Sequence, residues 1–204
     1  MSRIDDLIKQ LCPAGVPFKA LGEVGTIRRG KRFVKSDVVD AGAPCIHYGE
    51  IYTQYGISAS ESFSFLSREH ASRLRSASHG DVIIASAGET VEDIGKAVAW
   101  HGNEDVVIHD ACYAFRSPLD YKYVAHILQT DAFRDQARPL ISSSKISSIS
   151  TQNLAKVFIP VPPLDVQREV VSILDSFASL EAELRGNLEA ELHARRRQHA
   201  FYRD

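Results

Sequence analysis

The apolar positions of this chain change rhythm at residue 164. Before that point they come in short bursts of mixed period, and after it they recur every three or four residues for five turns. Residues 2–11 (SRIDDLIKQL) put Ile4, Leu7, Ile8 and Leu11 on one face, and Ser2 suits a cap, so a short helix is predicted. CPAGVP breaks it. Residues 18–27 (FKALGEVGTI) alternate weakly and predict a strand leading into a turn around Gly30. Residues 44–52 (PCIHYGEIY) predict a second strand with an aromatic edge. Residues 66–77 (LSREHASRLRSA) predict a helix capped by Ser67. HGDVIIASAG predicts a turn and then a buried strand over 82–85. KAVAW and VVIHDACYAF predict two more strands split by the turn HGNED, and residues 121–138 a helix or a helix pair. The polar stretch SSSKISSISTQN precedes a last short strand, LAKVFIPVP. The irregular mixture predicts an α+β (mixed α/β) globular domain over residues 1–160 with a strongly curved sheet, and no internal repeat is visible.

Pro160, Pro162 and Pro163 then crowd into four positions. Val166, Val170, Ile173, Phe177, Leu180 and Leu184 follow at steps of 4, 3, 4, 3 and 4, the spacing of a coiled-coil seam. Pro163 fits a first helical turn, and Asp165 sets negative charge at the positive end of the helix dipole. Gly186-Asn187 predicts a kink or stop before a second amphipathic run carrying Leu188, Leu192 and Phe201. One continuous helix over 164–204 would reach about 60 Å. It can pack back on the domain, or it can project and pair with another chain; the narrow seam suits pairing. The prolines would then be a stiff joint within a hinge-and-helix segment, residues 161–204.

Cys12, Cys45 and Cys112 are far apart and form no CxxC pair, which argues against a disulfide framework and a zinc site and for buried thiols. No apolar run is long enough to span a membrane, and Asp5 and Asp6 stand where a signal peptide would be apolar, so a cytoplasmic location is expected. Net charge is −2, but residues 1–160 hold 18 basic and 18 acidic side chains, so local clustering matters more than the sum. One run stands out. RRGKRFVK contains Arg28, Arg29, Lys31, Arg32 and Lys35, and no acid occurs between Val24 and Ser36.

Catalytic patterns fail one by one. In GETVEDIGKA, six residues separate Gly88 from Gly95-Lys96 where a phosphate loop needs four, and Ala97 replaces the magnesium-binding hydroxyl. GxGxxG after a strand, GxSxG and HExxH are absent. His109-Asp110 has no second half to make a metal site, and Asp93 and Lys96 have the wrong spacing for a nuclease pair. PVPP lacks the polar residue that an amino-methyltransferase places before Pro-Pro. No cofactor is therefore expected on this chain. Nucleic-acid binding passes the same test. The basic run can sit on phosphates or reach guanine edges, or be a solvated hairpin tip. SSSKISS offers Ser143 and Lys145 to a phosphate, or is a mobile loop. Tyr48, Tyr52, Gln54 and Tyr55 can read bases or be edge-strand aromatics; Arg73 and Arg75 can sit over phosphates or in water.

Several stretches resemble the specificity subunit of type I restriction–modification enzymes. VGTIRRGKRFVKSD is similar to its opening strand and basic turn, and IHYGEIYTQYG to its tyrosine-glycine segment. GDVIIASAGETVEDIGKAVAW resembles a strand with its following loop, IPVPPLDVQREVVSILDSF the proline hinge and start of a spacer helix, and ELHARRRQHAFYRD the end of that helix. The resemblance implies a non-catalytic target recognition domain that reads half of a two-part double-stranded DNA site. It also implies helices that hold two such domains apart and dock DNA methyltransferase (modification) subunits, with a restriction subunit joining through the complex. The usual member has two recognition domains and two helices, where this chain has one of each; it is either a natural half-subunit, which should pair with a copy of itself, or a truncated piece of a longer subunit. Arg28, Arg29, Lys31, Arg32, Tyr48, Gln54, Tyr55, Arg73, Ser143 and Lys145 are the expected DNA contacts, and the seam from Val166 to Leu184 the partner surface. The rival readings are a protein-interaction adaptor that binds no DNA and, with little support, an unrecognised nuclease or hydrolase.

Overall fold

A computed structural model describes residues 3–142 and 146–203; the expected Ser2 cap lies outside them. α1 (Arg3–Leu11) leads to β1 (Phe18–Ala20). Residues 18–27 are not one strand. The Glu23 carboxylate accepts the Ala20 amide at 2.9 Å and closes a single turn, α2 (Leu21–Val24), which buries Leu21 completely. β2 (Thr26–Arg29), β3 (Val38–Val39) and β4 (Ala43–Ile46) follow. The strand expected over 44–52 stops at Ile46 for the same reason: Glu50 accepts the His47 amide at 2.7 Å, and α3 (Tyr48–Thr53) begins. After β5 (Ser58–Ala59) and β6 (Ser64–Leu66), only one turn of the helix expected over 66–77 exists, α4 (Arg68–Ala71). Ser67 does cap it, accepting from the His70 amide at 3.2 Å, but too few apolar residues follow to bury further turns, and β7 (Ser76–Ala77) takes over.

β8 (Val82–Ala85), β9 (Ala87–Gly88) and β10 (Ala97–Trp100) come next. The run 106–115 divides into β11 (Val106–Ile108) and β12 (Cys112–Arg116), because the Cys112 amide bonds the His109 carbonyl at 2.9 Å and closes a turn. Residues 121–138 are a helix pair, α5 (Tyr121–Ile127) capped by Asp120 and α6 (Asp131–Ala137) capped by Thr130. β13 (Ser147–Ser148), α7 (Thr151–Leu154), β14 (Phe158–Pro160) and α8 (Leu164–Arg203) complete the order.

Ten of the strands form two five-stranded sheets where one curved sheet was expected, and β1–β14 and β13–β9 form two-stranded ones. The first has the order β2-β12-β8-β10-β5, the second β3-β6-β4-β11-β7. The continuous apolar runs of β8, β10 and β12 explain the layering, since both faces of these strands need cover. Val82, Ile84, Ala97, Ala99, Tyr113 and Phe115 face a core shared with Val124, Leu128 and Phe133 of the helix pair. The alternate residues Ile83, Ala85, Val98, Trp100 and Ala114 face Ile46, Ala77, Val106 and Ile108 of the second sheet. The three cysteines are buried free thiols.

The proline segment is sewn to the domain rather than left as a bare joint. β14 pairs antiparallel with β1, and the Val161 amide bonds the Pro17 carbonyl at 2.8 Å. Gln167, 1% exposed, accepts the Asp120 amide at 2.9 Å and donates to the Pro162 carbonyl at 2.7 Å. Val166 and Val171 are buried beside it. Lys122 pairs with Asp175 at 2.8 Å and Arg3 with Glu169 at 3.3 Å, so three turns of α8 are bolted down. Gly186 neither stops nor interrupts the helix; the helix continues through it to Arg203. No described helix is long and apolar enough to cross a membrane.

Candidate nucleic-acid interface

The basic run is held rigidly. Phe33 is 2% exposed and packs with Cys45, Leu66 and Val107. β2 pairs with β12 in the register Arg29↔Tyr113 and Arg28↔Ala114. Gly30 donates to the Cys112 carbonyl at 3.0 Å, and a Cβ built there would lie 2.2 Å from the His109 carbonyl oxygen and 2.3 Å from that of Ile108. Gly30 thus lets the backbone at the end of β2 approach the 108–109 segment closely.

The cations of the run are drawn together with those of a second segment. The Arg29 Nε donates to the Asp110 carbonyl at 2.7 Å, and Arg75 donates to the Arg29 carbonyl at 2.8 Å. The Lys31 ammonium donates to the Arg73 carbonyl at 2.8 Å, while the Arg73 guanidinium pairs with Glu69 at 2.6 Å. Arg32 is exposed beside them. Arg28 pairs with buried Asp81 at 3.5 Å, and Arg116 shares that carboxylate. Arg116 is the cation that sequence reasoning missed; as the last residue of CYAFR, it continues the inward-outward alternation at a strand end.

Next to the run lies an open cavity of about 610 Å³, lined by Lys35, His47, Tyr48, Tyr52, Gln54 and Glu89 among others. The His47 ring lies tilted against Tyr48 and His109, with ring centroids 4.4 and 4.5 Å apart, and Phe33 meets His109 edge-on at 5.1 Å. Burial, with His109 and Lys35 adding to it, pushes the His47 imidazole down to about 4, and burial lowers His109 as well. Both rings are therefore neutral near pH 7, consistent with His47 Nδ1 accepting the Gly49 amide at 3.4 Å. The Lys96 ammonium sits 5.4 Å from the Tyr52 ring centroid and pairs with Asp93 at 3.2 Å. Burial raises the Asp93 carboxyl, but hydrogen bonds from Thr90 and Lys96 outweigh it and hold the group below its ordinary value. Asp93 and Lys96 thus form a support for the cavity wall.

Tyr55 stands apart from the cavity lining. Its hydroxyl accepts the Phe63 amide at 3.1 Å, its ring packs on Phe63, and burial raises its pKa. Ser143 and Lys145 lie outside the described residues. The residues on either side are held: Ser142 bridges Ser148, and β13 pairs with β9 immediately before cavity-lining Glu89. Among the described residues no group of three His, Cys, Asp or Glu could hold a metal ion.

The expected seam divides in two. Val166 is buried within the chain, and Val170 and Ile173 are half-buried. Phe177, Leu180 and Leu184 are 64, 61 and 60% exposed, and the apolar row continues through exposed Leu188 and Leu192. The side chain of Phe201 lies outside the described residues.

Comparison with known proteins bears on this arrangement. The family described as type I restriction modification DNA specificity domain matches residues 13–194. A putative type I restriction enzyme specificity subunit of Haemophilus influenzae is 25% identical over 189 residues, covering 90% of this chain and 46% of the relative. A chain from a structure on complex assembly and conformational transition of the type I restriction–modification system superposes with a TM-score of 0.62 at 21% identity, over 95% of this chain and 50% of the other. The HsdS subunit from Thermoanaerobacter tengcongensis gives 0.58 at 21% identity, over 89% and 44%. The chain spans about half the length of these relatives, and the two structures show a shared fold.

Proposed function

The chain belongs to the type I restriction–modification DNA specificity family, whose specificity subunit is the non-catalytic one, and we propose that it reads one half of a two-part DNA site. Two copies pair through the exposed row of α8, and the helices also dock methyltransferase subunits. The observation that carries the reading is a single chain that bears both a clustered cationic strip and an exposed apolar row on α8. Arg28, Arg29, Lys31 and Arg32 lie on the strip, and Tyr48 and Gln54 line the cavity beside it. Phosphate contacts by the strip set the register, and the cavity edge supplies groups able to read bases. Phe177, Leu180, Leu184, Leu188 and Leu192 supply the row, and a two-fold pair of one recognition domain reads an inverted repeat.

The test is a map of methylated bases in DNA from cells that express this chain with a type I modification subunit and no other specificity protein. A two-part palindromic motif is the expected result. An asymmetric motif would keep DNA reading but overturn self-pairing. No motif, with both proteins folded and associated, would overturn DNA reading in favour of an adaptor role.

A further inference from the structure

We infer that Arg28 and Arg116 form a phosphate clamp for the duplex backbone, with both guanidinium forks aimed by the buried carboxylate of Asp81. The inference rests on the DNA-reading role proposed above and names two positions of that interface, one of them absent from the basic run.

The ladder places the pair. Thr26 lies opposite Arg116 and Arg28 opposite Ala114, so Arg28 and Arg116 point to the same face of the first sheet. Asp81 precedes Val82, which lies opposite Phe115, and its side chain is fully buried. It accepts the Ser78 amide at 2.8 Å, the Arg28 guanidinium at 3.5 Å and the Arg116 Nε. Arg116 also donates to the His79 carbonyl at 3.3 Å.

The stoichiometry points outward. A buried carboxylate requires one cation and its hydrogen bonds to be stable. Here it holds two, whose side chains remain 54 and 50% exposed. Relative to Asp81 alone one positive charge is in excess, and both guanidiniums face solvent. Each guanidinium has five N–H donors, and these contacts use two on Arg116 and one on Arg28. The remaining donors are planar, oriented and beside further cations, since Arg75 is hydrogen-bonded to the backbone of Arg29 one residue along β2. Paired forks with fixed orientation match the oxygens of a phosphodiester. Asp105 also acts on Arg116 electrostatically, so the duplex competes against one acid on this flank.

The test is binding of a duplex carrying the methylation motif to the full chain with its modification subunit, measured as Kd across a salt series. Arg116→Ala should weaken binding about tenfold and lower the salt slope by about one. Arg116→Lys should keep the slope yet still weaken binding several-fold, because the charge stays and the fork is lost. Asp81→Asn supplies a sign test: it makes the face more positive, and affinity should nonetheless fall, with thermal melting confirming that the variant is folded. Because Arg116 is half-exposed, its variants carry the decision even if Asp81→Asn does not fold. Wild-type Kd and slope in Arg116→Ala, with Kd raised and the slope lowered in the Arg29→Ala/Lys31→Ala double variant, would overturn the clamp and leave DNA reading standing. Absence of salt-dependent binding by the unaltered complex would overturn both.

Discussion

At the residue scale one device recurs: a carboxylate accepts the backbone amide three residues earlier. Glu23 does this to Ala20, Asp37 to Val34, Glu50 to His47, Asp81 to Ser78 and Asp93 to Thr90, at 2.7–3.2 Å. Each closes a turn that would otherwise leave an amide unpaired. These turns fix the two sides of the candidate interface, through Glu50 beneath Tyr48 and through Asp81 beneath Arg28. Gly30 has the tightest requirement of the basic run. In Gly30→Ala the new methyl would meet two backbone carbonyls, neither of which can swing away. Urea unfolding should show a loss of about 3 kcal/mol. The imidazole of His47 gives a pH signature. Its folded pKa of about 4 lies below the ordinary 6.5, so the unfolded chain takes up the proton first. Stability contributed by the neutral ring is therefore complete above pH 6.5 and is lost as the pH falls from 6.5 towards 4. His109 is shifted in the same direction. Replacing His47 with Asn should flatten the stability–pH curve in that window, and an unchanged curve would show that the window belongs to other groups.

At the element scale the sequence speaks clearly only where an element is long or buried on both faces. VIIA and AVAW are legible as buried strands because every side chain is apolar, and the helix after Pro163 because its period persists. LGEV and YGEIYT were not legible as helices, since one turn has no period to detect; the acid three residues after the entering amide was the available signal. Within the site, the basic run was visible as a string of letters. Arg116 was not, because the ladder that sets it beside Arg28 joins residues distant in sequence. The joint of α8 was half legible: prolines announce stiffness, but the clamp is Gln167, a polar residue among apolar neighbours. Gln167→Leu strands the Asp120 amide and the Pro162 carbonyl in a buried place. The expected cost is about 2–4 kcal/mol in thermal or urea unfolding. If the joint sets the angle between domain and helix, the methylation map of this variant should also show more than one spacer length. A single unchanged spacing would mean that the pairing surface alone sets the distance.

At the scale of the whole molecule, the helix is fixed at one end and uncovered at the other. A helix of 40 residues spans about 60 Å, and the domain covers only its first turns. A row of five large apolar residues in water has no stabilising role within one chain, which is why the proposed function sets it between chains. Its spacing adds a constraint on that contact. From Phe177 to Leu192 the steps are 3, 4, 4 and 4, longer on average than the 3.5 of a left-handed coiled coil. Two copies meeting along it should therefore wind with a gentle right-handed twist, because the mean step also exceeds the 3.6 residues per turn of a straight helix. Leu184 and Leu188 stand at the centre of the exposed row, so Leu184→Glu/Leu188→Glu sets four like charges at the middle of a two-fold pair. Light scattering should give a dimer for the unaltered chain and a monomer for this variant, with melting of the globular part unchanged. Methylation of the two-part motif should be lost with the dimer, while a duplex holding one half-site should still bind the monomer with the same salt slope. A variant that stays dimeric, or a monomer that methylates normally, would remove the row from the pairing surface.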